Sequence, residues 1–290
     1  DRWGSVSRKA VACVDTDLRA LPTSRPFFED PSRAGEGYPF DYLQNSRVKA
    51  GEPLFVGHYS ADGAWAFVET GYASGWVDSR GIALVDEDFV QRWRSQPQAF
   101  VIDDGVTVSD SGGVYRFTAR VGTVLPVVGG GKGGSLAVAV PVRDEGGQAV
   151  RVEALLSPGQ ASDGPLPLTE WNLAMVIDRM LGKPYGWGDL GGNRDCSGSL
   201  RDLFTAFGVW LPRNSAAQVK AYPFVPFGEV PGREKEERLA LEGLPFATLL
   251  AVPGHIMLYL GTYRGEPWVF HSMWGVRTLR DGKEGRHIVG

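Results

Sequence analysis

Cysteine is nearly absent from this sequence, whose 290 residues contain only Cys13 and Cys196. The two lie far apart and in different local contexts, so no disulfide framework holds the fold. Cys13, between Ala12 and Val14, reads as a small buried hydrophobe. No run of about 18 apolar residues occurs, so no membrane span is expected. Charge of one sign is also scarce. The net charge of −4, from 30 basic and 34 acidic residues, offers no basic surface of the kind that attracts nucleic acid or anionic membrane. No His-x-x-x-His or Cys-x-x-Cys pair is present, and no metal or cofactor is expected. Two histidines, a cysteine and Asp195 keep zinc among the alternatives. There is no signal-peptide pattern and no initiating methionine, so Asp1 reads as the start of a trimmed, exported product.

Turn residues, by contrast, are plentiful. With 39 glycines and 19 prolines, much of the chain is expected to form short strands. The 43% apolar and 22% charged content is that of a folded protein, and the length predicts two or three modules. Residues 1–35, interrupted by Pro22, Pro26 and Pro31, read as an irregular arm. Residues 36–97 read as a small antiparallel barrel with a helical linker. An apolar run at 53–56, an Asp62-Gly63 turn, the alternating run 64–69 and a glycine turn at 71–75 carry that reading. The linker, 85–94, has acidic residues in its first turn and basic ones in its last. Residues 98–160 repeat the pattern of short strands and glycine turns, as a second barrel of the same kind.

Beyond Pro165 the period changes, and residues 161–290 read as an α+β domain. Trp171, Met175, Ile177, Met180 and Leu181 suit a helix closed by Gly182 and Pro184. A second helix begins at Cys196 or Ser197, with Leu200, Leu203, Phe204 and Phe207 on one face. After a charged loop at 233–238, strands are expected at 246–252, 255–262 and 268–271.

The chemistry concentrates in this last part. A cysteine in the first turn of a helix meets unpaired N–H groups and the positive end of the dipole, which should lower its pKa and supply an oxyanion site. His255 opens an apolar strand and His271 ends the next. Each is eight residues from Tyr263, so a hairpin centred there would set them opposite one another. Cys196, His255 and His271 are then candidates for nucleophile, base and orienting group. Packing residues are the ordinary alternative for all three. His58 and His287 read as surface residues.

Pro184-Tyr-Gly-Trp-Gly188 with Asp195-Cys-Ser-Gly198, then Gly254-His-Ile-Met-Leu-Tyr-Leu-Gly261 and Phe270-His271, resembles the NlpC family of papain-like cell-wall peptidases. The order cysteine, histidine, histidine matches, and permuted relatives with histidine first do not fit. Leu211-Pro-Arg-Asn-Ser-Ala-Ala-Gln218 resembles that family's loop after the nucleophile helix. Gly37-Tyr-Pro-Phe-Asp-Tyr-Leu-Gln44 and Ala73-Ser-Gly-Trp-Val-Asp78 resemble the bacterial SH3-type modules fused to such peptidases. The resemblance implies two small all-β SH3-like barrels followed by an α+β papain-like cysteine peptidase domain. It implies a peptidoglycan hydrolase that acts on the stem peptide L-Ala-γ-D-Glu-diaminopimelate. The amide between γ-D-glutamate and diaminopimelate would be cleaved through a thioester. Tyr185 would lie beside the thiolate and polarise the carbonyl, Asp195 and Ser197 would contact the L-Ala–D-Glu end, and Trp187 would wall the groove. A monomer in the periplasm or cell envelope is expected, with cytoplasmic recycling left open. A non-catalytic wall-binding protein and an amide acyltransferase on the same fold are the rival functions.

Overall fold

The computed structural model of the chain describes residues 4–33, 35–280 and 282–288. Its first module is one antiparallel sheet. Its strands are β1 (Arg8–Ala12), β2 (Thr16–Arg19), β3 (Gln44–Val48), β4 (Pro53–Tyr59), β5 (Trp65–Glu69), β6 (Ser74–Asp78) and β7 (Ile82–Leu84), in the order β3-β2-β6-β5-β4-β1-β7. The alternation of β5 sorts its residues by face: Ala66 and Val68 are sealed in the core, and Trp65 and Phe67 lie half-buried outside it. The arm expected at residues 1–35 is a correction, because β1 and β2 belong to this sheet. Each strand has only four or five residues, too few to show a period, and pairing with β3, β4 and β7 imposes their conformation. The proline-rich stretch between β2 and β3 is ordered by Asp41, which accepts from Arg19 (2.6 Å), Phe27 N–H (2.9 Å) and Leu43 N–H (3.0 Å). His58, read as a surface residue, is half-buried against Trp76, with ring centroids 6.0 Å apart. Asp1 and the side chain of His287 lie outside the described residues.

Helix α1 (Glu87–Ser95) starts at Asp86, whose carboxylate accepts from Phe89 N–H at 2.7 Å. The second module follows with β8 (Gln98–Val101), β9 (Val106–Ser109), β10 (Tyr115–Ala119), β11 (Val124–Gly130), β12 (Leu136–Arg143), β13 (Ala149–Leu156) and β14 (Ala161–Asp163). Its pairing differs from the first: a five-stranded sheet ordered β13-β12-β11-β8-β14, and a separate β10-β9 ribbon.

The third module contains α2 (Glu170–Met180), α3 (Cys196–Thr205), α4 (Ser215–Ala221) and α5 (Gly232–Glu242). Its strands are β15 (Leu249–Val252), β16 (His255–Tyr263), β17 (Glu266–Phe270), β18 (Gly275–Arg280) and β19 (Lys283–Ile288), with β15-β16-β17 as the central sheet. The charged segment expected as a loop is helix α5. Leu239 is its one buried residue, so an apolar stripe was missing from the sequence, and the helix is braced instead by Arg233–Glu237 and Arg238–Glu242 pairs one turn apart. Among the described residues no helix is long and apolar enough to cross a membrane.

What positions the site is α3, which has no solvated face. Leu200, Leu203 and Phe204 enter a core with Leu173 and Val176 of α2, Ile256 and Leu258 of β16, and Ile102 and Val121 of the second barrel. The polar side of the helix is buried as well, at 9% exposure for Arg201 and 1% for Asp202. Lys49 of the first barrel reaches Asp202 at 2.5 Å. Arg194 bonds Asp202 at 2.7 Å and also binds Asp104 of the second barrel bidentately, at 2.7 and 2.8 Å. Arg201 stacks on Tyr72 of the first barrel, 3.6 Å from the ring centroid, and faces Glu52. The surrounding cations hold the Asp202 carboxyl far below the usual range, against a large desolvation effect. Replacing Asp202 with alanine should strand Lys49 and Arg194 as buried cations and lower the unfolding free energy by about 3–5 kcal/mol. Denaturant unfolding with an unchanged midpoint would contradict this reading.

Candidate active site

Cys196 is the first residue of α3, and the Asp195 side chain caps the helix by accepting from Gly198 N–H at 2.7 Å. The thiol is 6% exposed. It sits against the backbone N–H of Ile256, the residue that follows His255, and against that of Ser197. Both N–H groups and the Arg213 guanidinium favour the thiolate. Burial, and after it the Asp195 carboxylate, outweigh them and push the thiol above its ordinary pKa. The lowered pKa expected from the helix start is therefore corrected: the free site holds a neutral thiol. Cys13, also buried, is pushed up to about 12.

His255 and His271 meet, with Nε2 of the first 2.8 Å from Nδ1 of the second and ring centroids 5.0 Å apart. The expected register is off by two. Tyr263 pairs with Glu266, so the turn is Arg264-Gly265, and after a bulge Leu258 pairs with Phe270. Extending that register by one sets His271 level with Met257, two positions from His255 and on the same face. The bulge decides this. Thr262 pairs with Pro267, and that register carried on unchanged would put His271 across from Leu258, on the opposite face. Gly261, at φ +113°, provides the bulge.

The bond between the imidazoles selects tautomers. If His255 Nε2–H donates to His271 Nδ1, the Nδ1 of His255 keeps its lone pair and can act as a base. Burial lowers the pKa of both rings, and for His255 the second imidazole adds to the effect. The neutral form of both therefore predominates at the pH where an unperturbed histidine would be half protonated.

Tyr185 is 4% exposed, and a parallel bridge to Arg194 places it beside the segment that leads into Cys196. Burial, then Asp195 and Cys196, push its pKa upward, so it remains a neutral phenol able to donate. Trp187 is 44% exposed and packs on Phe40, a residue of the first barrel's loop, at 5.7 Å between centroids. Phe40 also meets Tyr185 at 6.0 Å and Trp274 at 5.4 Å. Phe40 and Trp274 were not singled out from the sequence. The Gly37–Gln44 motif contained the first of them, but nothing in it distinguished Phe40 from Tyr38 and Tyr42, which are exposed.

Asp195 and Ser197, the substrate contacts that the resemblance implied, are tied into the start of α3. Both oxygens of Asp195 are engaged, by Gly198 N–H, Gly188 N–H (3.1 Å), Ser197 Oγ–H (3.0 Å) and both terminal nitrogens of Arg213 (3.0 and 2.8 Å). Asp195 is 8% exposed and Ser197 is 4% exposed, so their side chains build the helix start. Gln218 of α4 supports the same turn by donating to the carbonyls of Ser197 and Pro212.

With His255 assigned as a neutral base, activity should be present above the lowered pKa values of the two rings and lost as pH falls through them. The acid limb should therefore lie below about 6.5, the ordinary histidine value. His271→Ala should reduce kcat/KM by about 10²–10⁴. His271→Asn, whose carbonyl can still accept from Nε2–H, should recover part of the loss. A pH–rate profile of the two variants checks both points, and equal kcat/KM in H271A and the unaltered protein would contradict the orienting role.

Three families match the chain in succession: an SH3 domain of SH3b1 type at residues 26–78, an SH3 domain of SH3b2 type at 86–132, and the NlpC/P60 family at 182–280. The solved structure of a novel NlpC/P60 endopeptidase from Photobacterium damselae subsp. piscicida superposes with a TM-score of 0.82 at 29% identity, over 99% of this chain and 67% of that one. An NlpC/P60 family protein from Bacillus cereus ATCC 10987 shares the fold, with a TM-score of 0.60 at 16% identity over 91% of this chain and 94% of that one. No curated protein matches the sequence. The order of the three matches is the order of the three modules: two bacterial SH3 domains are followed by a C-terminal α+β domain of NlpC/P60 type.

Proposed function

We propose that the protein is a cysteine endopeptidase that hydrolyses the amide between γ-D-glutamate and diaminopimelate in L-Ala-γ-D-Glu-diaminopimelate stem peptides of the cell envelope. The observation that carries this reading is the 2.8 Å bond between His255 and His271, in a sheet whose central strand presents the Ile256 N–H to the Cys196 thiol. A thiol at a helix start, a pair of bonded imidazoles on the strands facing it and a neutral phenol nearby support acyl transfer. The family match narrows acyl transfer to the cell wall.

The chemistry follows from the neutral resting pair. His255 Nδ1 takes the thiol proton as sulfur adds to the γ-carbonyl, and charge develops on the carbonyl oxygen. The N–H groups at the start of α3 and the Tyr185 O–H are the donors suited to that oxygen. His255 then gives its proton to the departing diaminopimelate nitrogen, which leaves as an amine, and a thioester of the γ-glutamyl group remains on Cys196. Water, deprotonated by His255, attacks the thioester and restores the thiol. His271 holds the imidazole throughout, accepting from Nε2–H while the ring is positively charged.

The aromatic group of Phe40, Trp187 and Trp274 supports binding of the peptide in a groove to which the first barrel contributes a wall. Phe40→Ala should raise KM about tenfold, the effect of about 1.4 kcal/mol of lost contact, with a smaller change in kcat. Steady-state kinetics on the free tripeptide checks this. A kcat loss at constant KM would place Phe40 in the chemistry instead. Cys196→Ala should abolish release of diaminopimelate, followed by amine derivatisation, while the circular dichroism spectrum is kept. Release at the unaltered rate would remove Cys196 from its role.

A further inference from the structure

The helix start contains an electrostatic conflict. A neutral residue such as asparagine could cap α3, yet the cap is the Asp195 carboxylate, on the residue directly before Cys196 and 8% exposed. A buried negative charge beside a thiol opposes the ionisation that attack on a carbonyl requires.

Arg213 answers that charge. Its terminal nitrogens grip both Asp195 oxygens, at 3.0 and 2.8 Å, and Nη1 also lies 3.3 Å from Ser197 Oγ. The guanidinium is 6% exposed, so solvent screens the pair poorly. The remaining donor fixes its aim. Nε–H donates to Ser46 Oγ at 2.7 Å, and Ser46 is a fully buried residue of β3 in the first barrel. A chain of three side chains thus runs from the barrel through Ser46, Arg213 and Asp195 to the residue before the nucleophile.

The Ile256 and Ser197 N–H groups also favour the anion, but among the described residues the other side chains around the thiol do not supply this compensation. Asp189, from the turn before α3, adds a second carboxylate 3.5 Å from Arg213 and equally far from Arg120. Tyr185 is a neutral phenol, and His255 and His271 on the sheet side are neutral imidazoles. Arg194, next to Asp195 in sequence, directs its guanidinium to Asp104 and Asp202.

We propose that Arg213, aimed by Ser46 of the first barrel, is a positioning residue that compensates the Asp195 carboxylate beside Cys196, which makes that barrel a working part of the active site. The inference rests on Cys196 being the nucleophile. The arginine acts through Asp195 and touches neither substrate nor the reacting atoms. Its fork geometry also explains why a lysine would be a partial substitute: one ammonium cannot bind two carboxylate oxygens and a hydroxyl in one plane.

The test is the pH dependence of Cys196 alkylation by iodoacetamide, followed by peptide mass mapping so that Cys13 is scored separately. Arg213→Met should raise the alkylation midpoint by about one pH unit, which slows labelling about tenfold at a fixed pH below it. R213K should shift it less. Ser46→Ala should move it in the same direction as R213M but by less. Asp195→Asn, which keeps a capping oxygen, should lower the midpoint, and the R213M/D195N double variant should return it to that of the unaltered protein. A purely structural role for Arg213 would not be reversed by removing a second buried charge.

An R213M midpoint equal to that of the unaltered protein, or a double variant that stays shifted, overturns the proposal. If R213M does not fold, D195N and S46A decide, and unmoved midpoints in both overturn it. Hydrolysis by C196A would defeat the nucleophile assignment itself. An inactive C196A with an unmoved R213M midpoint would defeat only this inference.

Discussion

Asp202 sits on a helix with no outer surface, and the three modules are held in one arrangement by the cations that surround it. Lys49 comes from the first barrel, and Arg194 links the same carboxylate to Asp104 of the second. The apolar side of α3 is shared in the same way, since Ile102 and Val121 of the second barrel belong to its core. Buried ion pairs of this kind contribute little net stability compared with apolar packing, but they fix which surfaces meet, because any other docking would leave a charge unpaired. Cys196, the proposed nucleophile, is the first residue of that helix, so its position inherits the docking of both barrels.

This arrangement bears on what the barrels do. An SH3-type module tethered by a linker could bind wall material while leaving the chemistry to a separate domain. Here the first barrel places Phe40 on Tyr185 and Trp187, Ser46 on Arg213, and Gln44 on the Gly188 carbonyl at 3.2 Å. A methyl group at Gly188 would come within 2.4 Å of the Gln44 carbonyl oxygen, so the close approach itself requires glycine there. The surroundings of Cys196 and the surface of the first barrel are thus in direct contact.

Much of this was legible in the sequence. The period-2 runs and glycine turns indicated the barrels, the apolar spacing after Cys196 indicated α3, and the two histidines flanking a short hairpin indicated a pair. What could not be read was whatever depended on partners distant in the chain. Arg201 and Asp202 look like the solvated face of an amphipathic helix until both barrels are seen to cover them. Arg213 looks like a loop arginine until Ser46 and Asp195 are brought to it. The strands β1 and β2 carry too few residues for a period and exist because neighbours pair with them. The hairpin register was misjudged because the turn at Arg264-Gly265 and the bulge at Leu260-Gly261 both shift the pairing, yet the histidines still meet, since an offset of two preserves the face.

The thiol itself shows how opposing effects combine. The helix start and two backbone N–H groups favour the anion, but burial and an adjacent carboxylate prevail, so in the proposed mechanism the proton leaves sulfur only as the nucleophile attacks. The most direct measurement of the central claim is acid-quench mass spectrometry of the protein mixed with L-Ala-γ-D-Glu-diaminopimelate. The account predicts a transient mass increase equal to the L-Ala-γ-D-Glu acyl group, mapped to the peptide that contains Cys196. Turnover without any adduct on that peptide, or with the acyl group on another residue, would contradict it.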